Sequence, residues 1–149
     1  MTQATVRINN MDFRGSTCDG PGIRNVVFFQ GCNRHCPGCH NPGTWNPSKG
    51  QKMTISDLVT TIDKHTPLKK ITISGGEPLL QPDGLLELVR SLRKRGYDIA
   101  VYTGNSLADV PQKLLEQIDY IKVGDYQQEH HTSMKPFVGS TNQEFIRLH

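Results

Sequence analysis

Three cysteines stand within one short stretch of the chain, Cys32, Cys36 and Cys39, in the spacing C-x3-C-x2-C. Three thiolates on one compact loop can hold three corners of a four-iron, four-sulfur cube. The fourth iron then lacks a protein thiolate and is open to a chelating substrate. Pro37 and Gly38 help the chain turn back so that the thiolates converge. The same loop also suits structural zinc, with His35, His40 or Cys18 as fourth ligand. A closed zinc site usually draws its ligands as two spaced pairs, and no second pair follows here. The cysteines alone leave both metals open. In a cytosolic chain such crowding reads as metal binding before disulfides. Cys18, set apart from the cluster, reads as a buried or spectator thiol.

Two further segments could carry chemistry. Ser74-Gly75-Gly76-Glu77-Pro78 follows an apolar run. Paired glycines permit close backbone approach to a small polar ligand, and Glu77 is an acceptor suited to an ammonium group. Upstream lies Cys18-Asp19-Gly20-Pro21-Gly22-Ile23-Arg24, which is strong turn chemistry on its own. Smaller signals are Trp45, read as loop packing, and His130-His131, read as solvated. Asn142 and Gln143 read equally as ligand contacts or as a turn or helix cap.

The elements that must position these residues alternate in type. Asn25–Gln30 is a short apolar, β-branched and aromatic run, hence a buried strand, and it leads into the cysteine loop Gly31–Asn41. Thr44–Lys52, rich in Pro, Gly and Asn, reads as loop. A helix is expected over Ser56–His65, with Ser56 as N-cap and Leu58, Val59 and Ile62 on one face. Lys70–Ser74 is a second strand. Asp83 is expected to cap a helix running to Arg95, with Leu85, Leu86, Val89 and Leu92 as its apolar face and Gly96 ending it. Asp98–Thr103 is a third strand, Leu107–Gln117 a helix whose regular part starts at Pro111, and Tyr120–Val123 a fourth strand. Gly124–His149 shows no clear periodicity. Strands separated by single helices imply right-handed crossovers and a mostly parallel sheet. Four or five such units are too few for a closed eight-stranded barrel, so an α/β open partial barrel is expected, as one domain over residues 1–149. Its sites should lie at the C-terminal ends of the strands, where the cysteines, Gly75–Pro78, Thr103-Gly104 and Gly124-Asp125 all fall.

The cysteine loop after the first strand and the Gly-Gly-Glu turn after the second together resemble the radical S-adenosylmethionine superfamily. That resemblance implies a [4Fe–4S] cluster on Cys32, Cys36 and Cys39. It also implies S-adenosylmethionine, with the backbone of Gly38, Cys39 and His40 along the adenosine and Gly75, Gly76 and Glu77 holding the methionine amino group. The Asp-Gly-Pro-Gly-Ile-Arg segment is similar to glycyl-radical-enzyme activases, which implies that Asp19 helps receive a substrate peptide. Reductive cleavage of the cofactor and hydrogen abstraction from a partner glycine are the implied chemistry. It needs no acid–base side chain, so no catalytic residue is nominated beyond the cluster. Three features resemble the anaerobic (class III) ribonucleotide reductase activating proteins in particular. They are Gly38 before the last cysteine, Asn41 with Thr44-Trp45 and Gly50-Gln51, and Gly139-Ser140-Thr141-Asn142-Gln143. The implied partners are the large subunit of that reductase and, as electron donor, flavodoxin or ferredoxin. The alternatives are a pyruvate formate-lyase type activase, a radical enzyme acting on a small molecule, and a zinc interaction module.

Composition narrows the rest. With 35% hydrophobic and 21% charged residues, 149 residues suffice for one real core. No apolar run approaches the ~20 residues of a membrane span, and Met1–Phe13 lacks the apolar stretch of a secretory signal, so a cytoplasmic location is expected. The net charge of +3 is mild, and Arg90, Arg93, Lys94 and Arg95 gather where cations suit a helix C-terminus. A nucleic-acid partner is not expected, for want of basic residues interleaved with aromatics.

Overall fold

The computed structural model describes residues 4–17, 19–32, 42–65 and 68–149. Among them run seven strands: β1 (Thr5–Ser16), β2 (Arg24–Phe29), β3 (Gln51–Thr54), β4 (Lys70–Gly75), β5 (Asp98–Tyr102), β6 (Tyr120–Val123) and β7 (Glu144–Arg147). Three α-helices accompany them: α1 (Ile55–His65), α2 (Pro82–Lys94) and α3 (Gln112–Leu115). One sheet holds all seven strands in the order β3-β1-β2-β4-β5-β6-β7. The four central strands are parallel, and β1, β3 and β7 join antiparallel at the flanks. The mostly parallel α/β sheet expected from the sequence is therefore present. Among the described residues its four parallel strands are joined by three helical crossovers.

Period-two alternation sorts the side chains of the parallel strands onto two faces. Val27, Phe29, Ile71, Ile73, Ile99, Val101, Ile121 and Val123 pack with Leu58 and Ile62 of α1 and Leu85, Leu88 and Leu92 of α2 into one core. Each such side chain contributes about 1.5–3 kcal/mol by leaving water. The alternate residues, among them Arg24, Thr72, Tyr102, Tyr120 and Lys122, lie on the other face, which carries no α-helix among the described residues.

Local chemistry moved several boundaries. The edge strand β3 takes in Gln51 and Lys52, expected as loop. It pairs with β1 alone and stays largely exposed, so its residues need no apolar pattern. The cap of α1 is Thr54, whose Oγ1 accepts the Asp57 N–H at 3.1 Å, so the helix begins one residue before Ser56. Pro82 occupies the first turn of α2, which leaves Asp83 inside that turn, near the positive end of the dipole, rather than at the cap. Leu88, not Leu86, completes its buried face, and Gly96 ends it in the left-handed region at φ 84°. The helix expected over Leu107–Gln117 is a 3-10 turn at Leu107–Asp109 followed by a single α-turn after Pro111.

Candidate functional site

A cleft of about 560 Å³ opens at the C-terminal ends of the parallel strands. Cys32, the Gly75-Gly76-Glu77 turn, Thr103 and Gly124 line it, and Asp19 reaches it from the segment before β2. The topology thus gathers segments far apart in sequence onto one cavity. Cys32 is a half-buried free thiol on its wall. Cys18, Cys36, Gly38, Cys39 and His40 lie outside the described residues.

The glycine turn is built against the protein's own backbone. Gly75 sits at φ 123°, and a Cβ there would overlap the Phe29 carbonyl oxygen; a Cβ on Gly76 would overlap that of Gly31. In their place are hydrogen bonds: Gly76 N–H to Phe29 O at 3.1 Å and Glu77 N–H to Gly31 O at 2.7 Å. Glu77 is 2% exposed. Its Oε1 accepts the Gly104 N–H at 2.7 Å, and its Oε2 accepts the Thr103 hydroxyl at 2.8 Å and the Leu79 N–H at 3.0 Å. These three donors belong to the protein itself and fix the orientation of the carboxylate.

On the same cleft, Asp19 is half-buried and accepts the Ser16 hydroxyl at 2.5 Å. Its main chain is anchored from below: Thr72 Oγ1 donates to Asp19 O at 2.6 Å and accepts from Arg24 Nε at 2.9 Å. Arg24 is fully buried. Its Nη1 donates to Pro21 O at 3.0 Å, and its Nη2 reaches Ile71 O and Asp98 O at 2.9 Å and Asp98 Oδ1 at 3.0 Å. The guanidinium also lies 5.7 Å from the centre of the Tyr120 ring. Sequence reasoning passed over Arg24 as the last residue of a turn. The available signal was a cation opening an apolar strand, which must find several acceptors when buried.

A family model described as a 4Fe-4S single cluster domain matches residues 18–146. The chain belongs to that family. It is similar to the pyruvate formate-lyase-activating enzyme of Clostridium pasteurianum, 36% identical over 120 residues, which covers 77% of this chain and 50% of that enzyme. It is also similar to pyruvate formate-lyase 1-activating enzyme of Escherichia coli K12, 32% identical over 150 residues, covering 95% and 60% respectively. The chain spans about half the length of the curated relatives it matches. The crystal structure of QueE from Escherichia coli shares the fold, with a TM-score of 0.58 at 20% identity over 78% of this chain and 69% of that one. These matches support the radical S-adenosylmethionine superfamily, and with it a [4Fe–4S] cluster and S-adenosylmethionine as cofactors. They do not single out the ribonucleotide reductase branch.

The cavity of this 4Fe–4S single cluster domain fits such a load: a thiol on one wall, the main chain of two glycines on its lining, and room for a nucleoside-sized ligand. After β6, residues 124–143 form the remaining wall. Gln143, 2% exposed, fastens it: Oε1 accepts the N–H groups of Gly139 at 2.9 Å and Ser140 at 3.2 Å, and Nε2 donates to Gly124 O at 2.9 Å. Asn142 Nδ2 donates to Asp125 O at 2.8 Å, so in the described contacts both amides are turn-builders. Lys122 Nζ lies 4.8 Å from the centre of the Tyr102 ring on the cleft wall. Trp45 is half-buried there, and its carbonyl accepts the Cys32 N–H at 3.0 Å. His131 Nδ1 meets the Tyr126 hydroxyl at 3.1 Å, and both residues of the His130-His131 pair are exposed. Among the described residues no helix is long and apolar enough to cross a membrane.

Proposed function

We propose that this protein is a radical S-adenosylmethionine activase that forms a glycyl radical on a partner enzyme. The observation that carries the reading is the convergence of Cys32, the Gly75-Gly76-Glu77 turn and Asp19 on one cleft. Cys32, Cys36 and Cys39 would hold the cluster. The backbone of Gly38, Cys39 and His40 would run along the adenosine, and the Gly75-Gly76-Glu77 turn would receive the methionyl amino group. When bound, the cluster and cofactor supply one-electron cleavage of a carbon–sulfur bond and hydrogen abstraction from glycine. The chain's own work is to bind, orient and exclude water. The glycine turn packs against the backbone at the end of β2 and lines the cleft with main chain, residues 124–143 wall it, and Asp19, on the same lining, would meet an incoming peptide. No side chain is assigned a proton transfer. An electron donor of the flavodoxin or ferredoxin kind is expected.

For the partner, the relatives favour a pyruvate formate-lyase type glycyl radical enzyme. A second reading, anaerobic ribonucleotide reductase, is favoured by the Gly139–Gln143 segment, where Gly139 and Gln143 line the cleft. The deciding experiment reconstitutes the protein anaerobically and adds S-adenosylmethionine, a reductant and one candidate partner at a time. A glycyl-radical doublet by electron paramagnetic resonance that requires every component establishes the activity, and the partner that yields it settles specificity. Zinc without iron or sulfide in the anaerobically purified protein would overturn the reading. So would cofactor cleavage that follows a small molecule and ignores both partners.

A further inference from the structure

We propose that Gly76 and Glu77 act as positioning residues for the cluster loop, clasping Cys32 in place before any cofactor binds. This rests on Cys32 being a cluster ligand. The glycine requirement is already explained inside the protein: the overlaps that a Cβ would create at Gly75 and Gly76 are with the carbonyl oxygens of Phe29 and Gly31, and no ligand is involved. Gly31 immediately precedes Cys32, and both its backbone polar groups are bound. Its carbonyl accepts from Glu77 N–H at 2.7 Å, and its N–H donates to Thr44 O. Cys32 N–H donates to Trp45 O at 3.0 Å. The thiol-bearing residue is therefore held between the glycine turn on one side and residues 44–45 on the other.

The Glu77 side chain extends the clasp to the next strand. One buried carboxylate gathers the Gly104 N–H, the Thr103 hydroxyl and the Leu79 N–H. Through Glu77, the turns that follow β2, β4 and β5 become one unit. A shift of that turn by a methyl group's width must move Gly31, and with it Cys32. Gln in place of Glu77 keeps the shape but turns an amide NH2 toward backbone or hydroxyl donors, which sets donor against donor. Contacts of this kind, one bond removed from a metal ligand, commonly govern metal retention.

A role confined to the cofactor and a role on Cys32 separate when S-adenosylmethionine is left out. Gly76→Ala, Glu77→Gln and wild type are reconstituted anaerobically without it. Iron and sulfide content, the rate of iron loss to a chelator, and the spectrum of the reduced cluster are then compared. The expected result is roughly tenfold faster iron loss in Gly76→Ala and a smaller acceleration in Glu77→Gln, each with an altered resting spectrum. Circular dichroism and melting of the apoproteins check the fold, and Glu77→Gln carries the test should Gly76→Ala not fold. Variants that match wild type without S-adenosylmethionine and differ only after its addition would overturn the clasp and leave the proposed function standing. A wild-type protein that takes up no iron would instead overturn the proposed function, and the clasp's role with it.

Discussion

The two ends of the parallel sheet are held together by opposite means. At the C-terminal end, β2, β4 and β5 are joined by backbone hydrogen bonds across glycines and by a single carboxylate, Glu77. At the N-terminal end, long charged side chains do the joining. Arg24 ties the segment before β2 to β4 and β5, Arg95 and Tyr97 share Asp63, and Arg93 lies 3.6 Å from Asp119. The first end must leave a cleft open, so its links are short and made by main chain. The second has no ligand to admit and is closed by side chains. Damage at the cleft should therefore remove function while the fold survives, and damage at the base should melt the fold first.

The sharpest way to break that comparison is at the cysteines. Cys36→Ala is expected to abolish both cluster binding and S-adenosylmethionine cleavage, because a cluster with two remaining thiolates is not retained. Melting of the apoprotein should change little. Iron analysis and a cleavage assay check the first half and calorimetry the second. A variant with full activity would remove Cys36 from the ligand set.

The next largest effect belongs to the base. Arg24→Met removes five hydrogen bonds from a fully buried cation and leaves Pro21 O, Ile71 O, Asp98 and Thr72 without their donor. Breaking a buried, charge-assisted network by one partner costs about 3–5 kcal/mol. Thr72→Val, which severs only the link between Arg24 and Asp19 O, should cost about 1–3 kcal/mol, and Thr72→Ser should restore most of it. Chemical denaturation of the three variants ranks them. Equal, small losses would mean that the N-terminal end is not held by Arg24.

The same contrast explains what was legible in the sequence. The parallel core was, because β2 and β5 carry continuous buried apolar runs and β4 and β6 alternate apolar with polar residues, both local strand signals. The flanking strands were not. β1 carries a register shift between Ile8 and Asn10, so its apolar residues change phase midway, from Val6 and Ile8 to Met11 and Phe13. β3 and β7 pair on one side only and need little apolar surface. In the cleft, Gly75 and Gly76 were legible from residue type and order, and Asp19 only through the family resemblance. The neighbours of Gly75 and Gly76 were not, since the clash of a glycine with the backbone of a strand 46 residues earlier, as between Gly75 and Phe29, leaves no local trace. Arg24 and Gln143 were undervalued for the same reason: a polar residue declares itself buried only once its acceptors, 47 or 19 positions away in the chain, are in place.

Asp19 sharpens the comparison within the cleft itself, by dividing cofactor from partner. Asp19→Asn keeps the size and an oxygen to accept from Ser16 Oγ, and should leave the fold and uncoupled S-adenosylmethionine cleavage near wild type. Radical formation on the partner should weaken, with roughly a tenfold rise in the partner concentration needed, the worth of about one charge-assisted hydrogen bond. Titrating partner against radical yield measures it. An equal fall in both activities would place Asp19 with the cofactor instead.

The smallest expected effect tests the base by pH. Tyr97 is buried, and its hydroxyl donates to Asp63 at 2.5 Å, beside Arg95. Burial first, and the hydrogen bond to Asp63 second, push its ionisation above the ordinary value of 10. The folded state thus favours the neutral phenol. Its contribution is fully present below pH 10, the value for the unfolded chain, and is lost as pH rises toward the higher folded value. Wild type should lose stability above pH 10 more steeply than Tyr97→Phe, which has no proton to release there. Below that pH the variant should be weaker by about 1 kcal/mol, the net worth of one hydrogen bond. Denaturation at a neutral and at an alkaline pH resolves both signs. Parallel pH profiles would mean that the hydroxyl is neither buried nor held by Asp63, which would leave Arg95 as the contact from this base to Asp63 of α1.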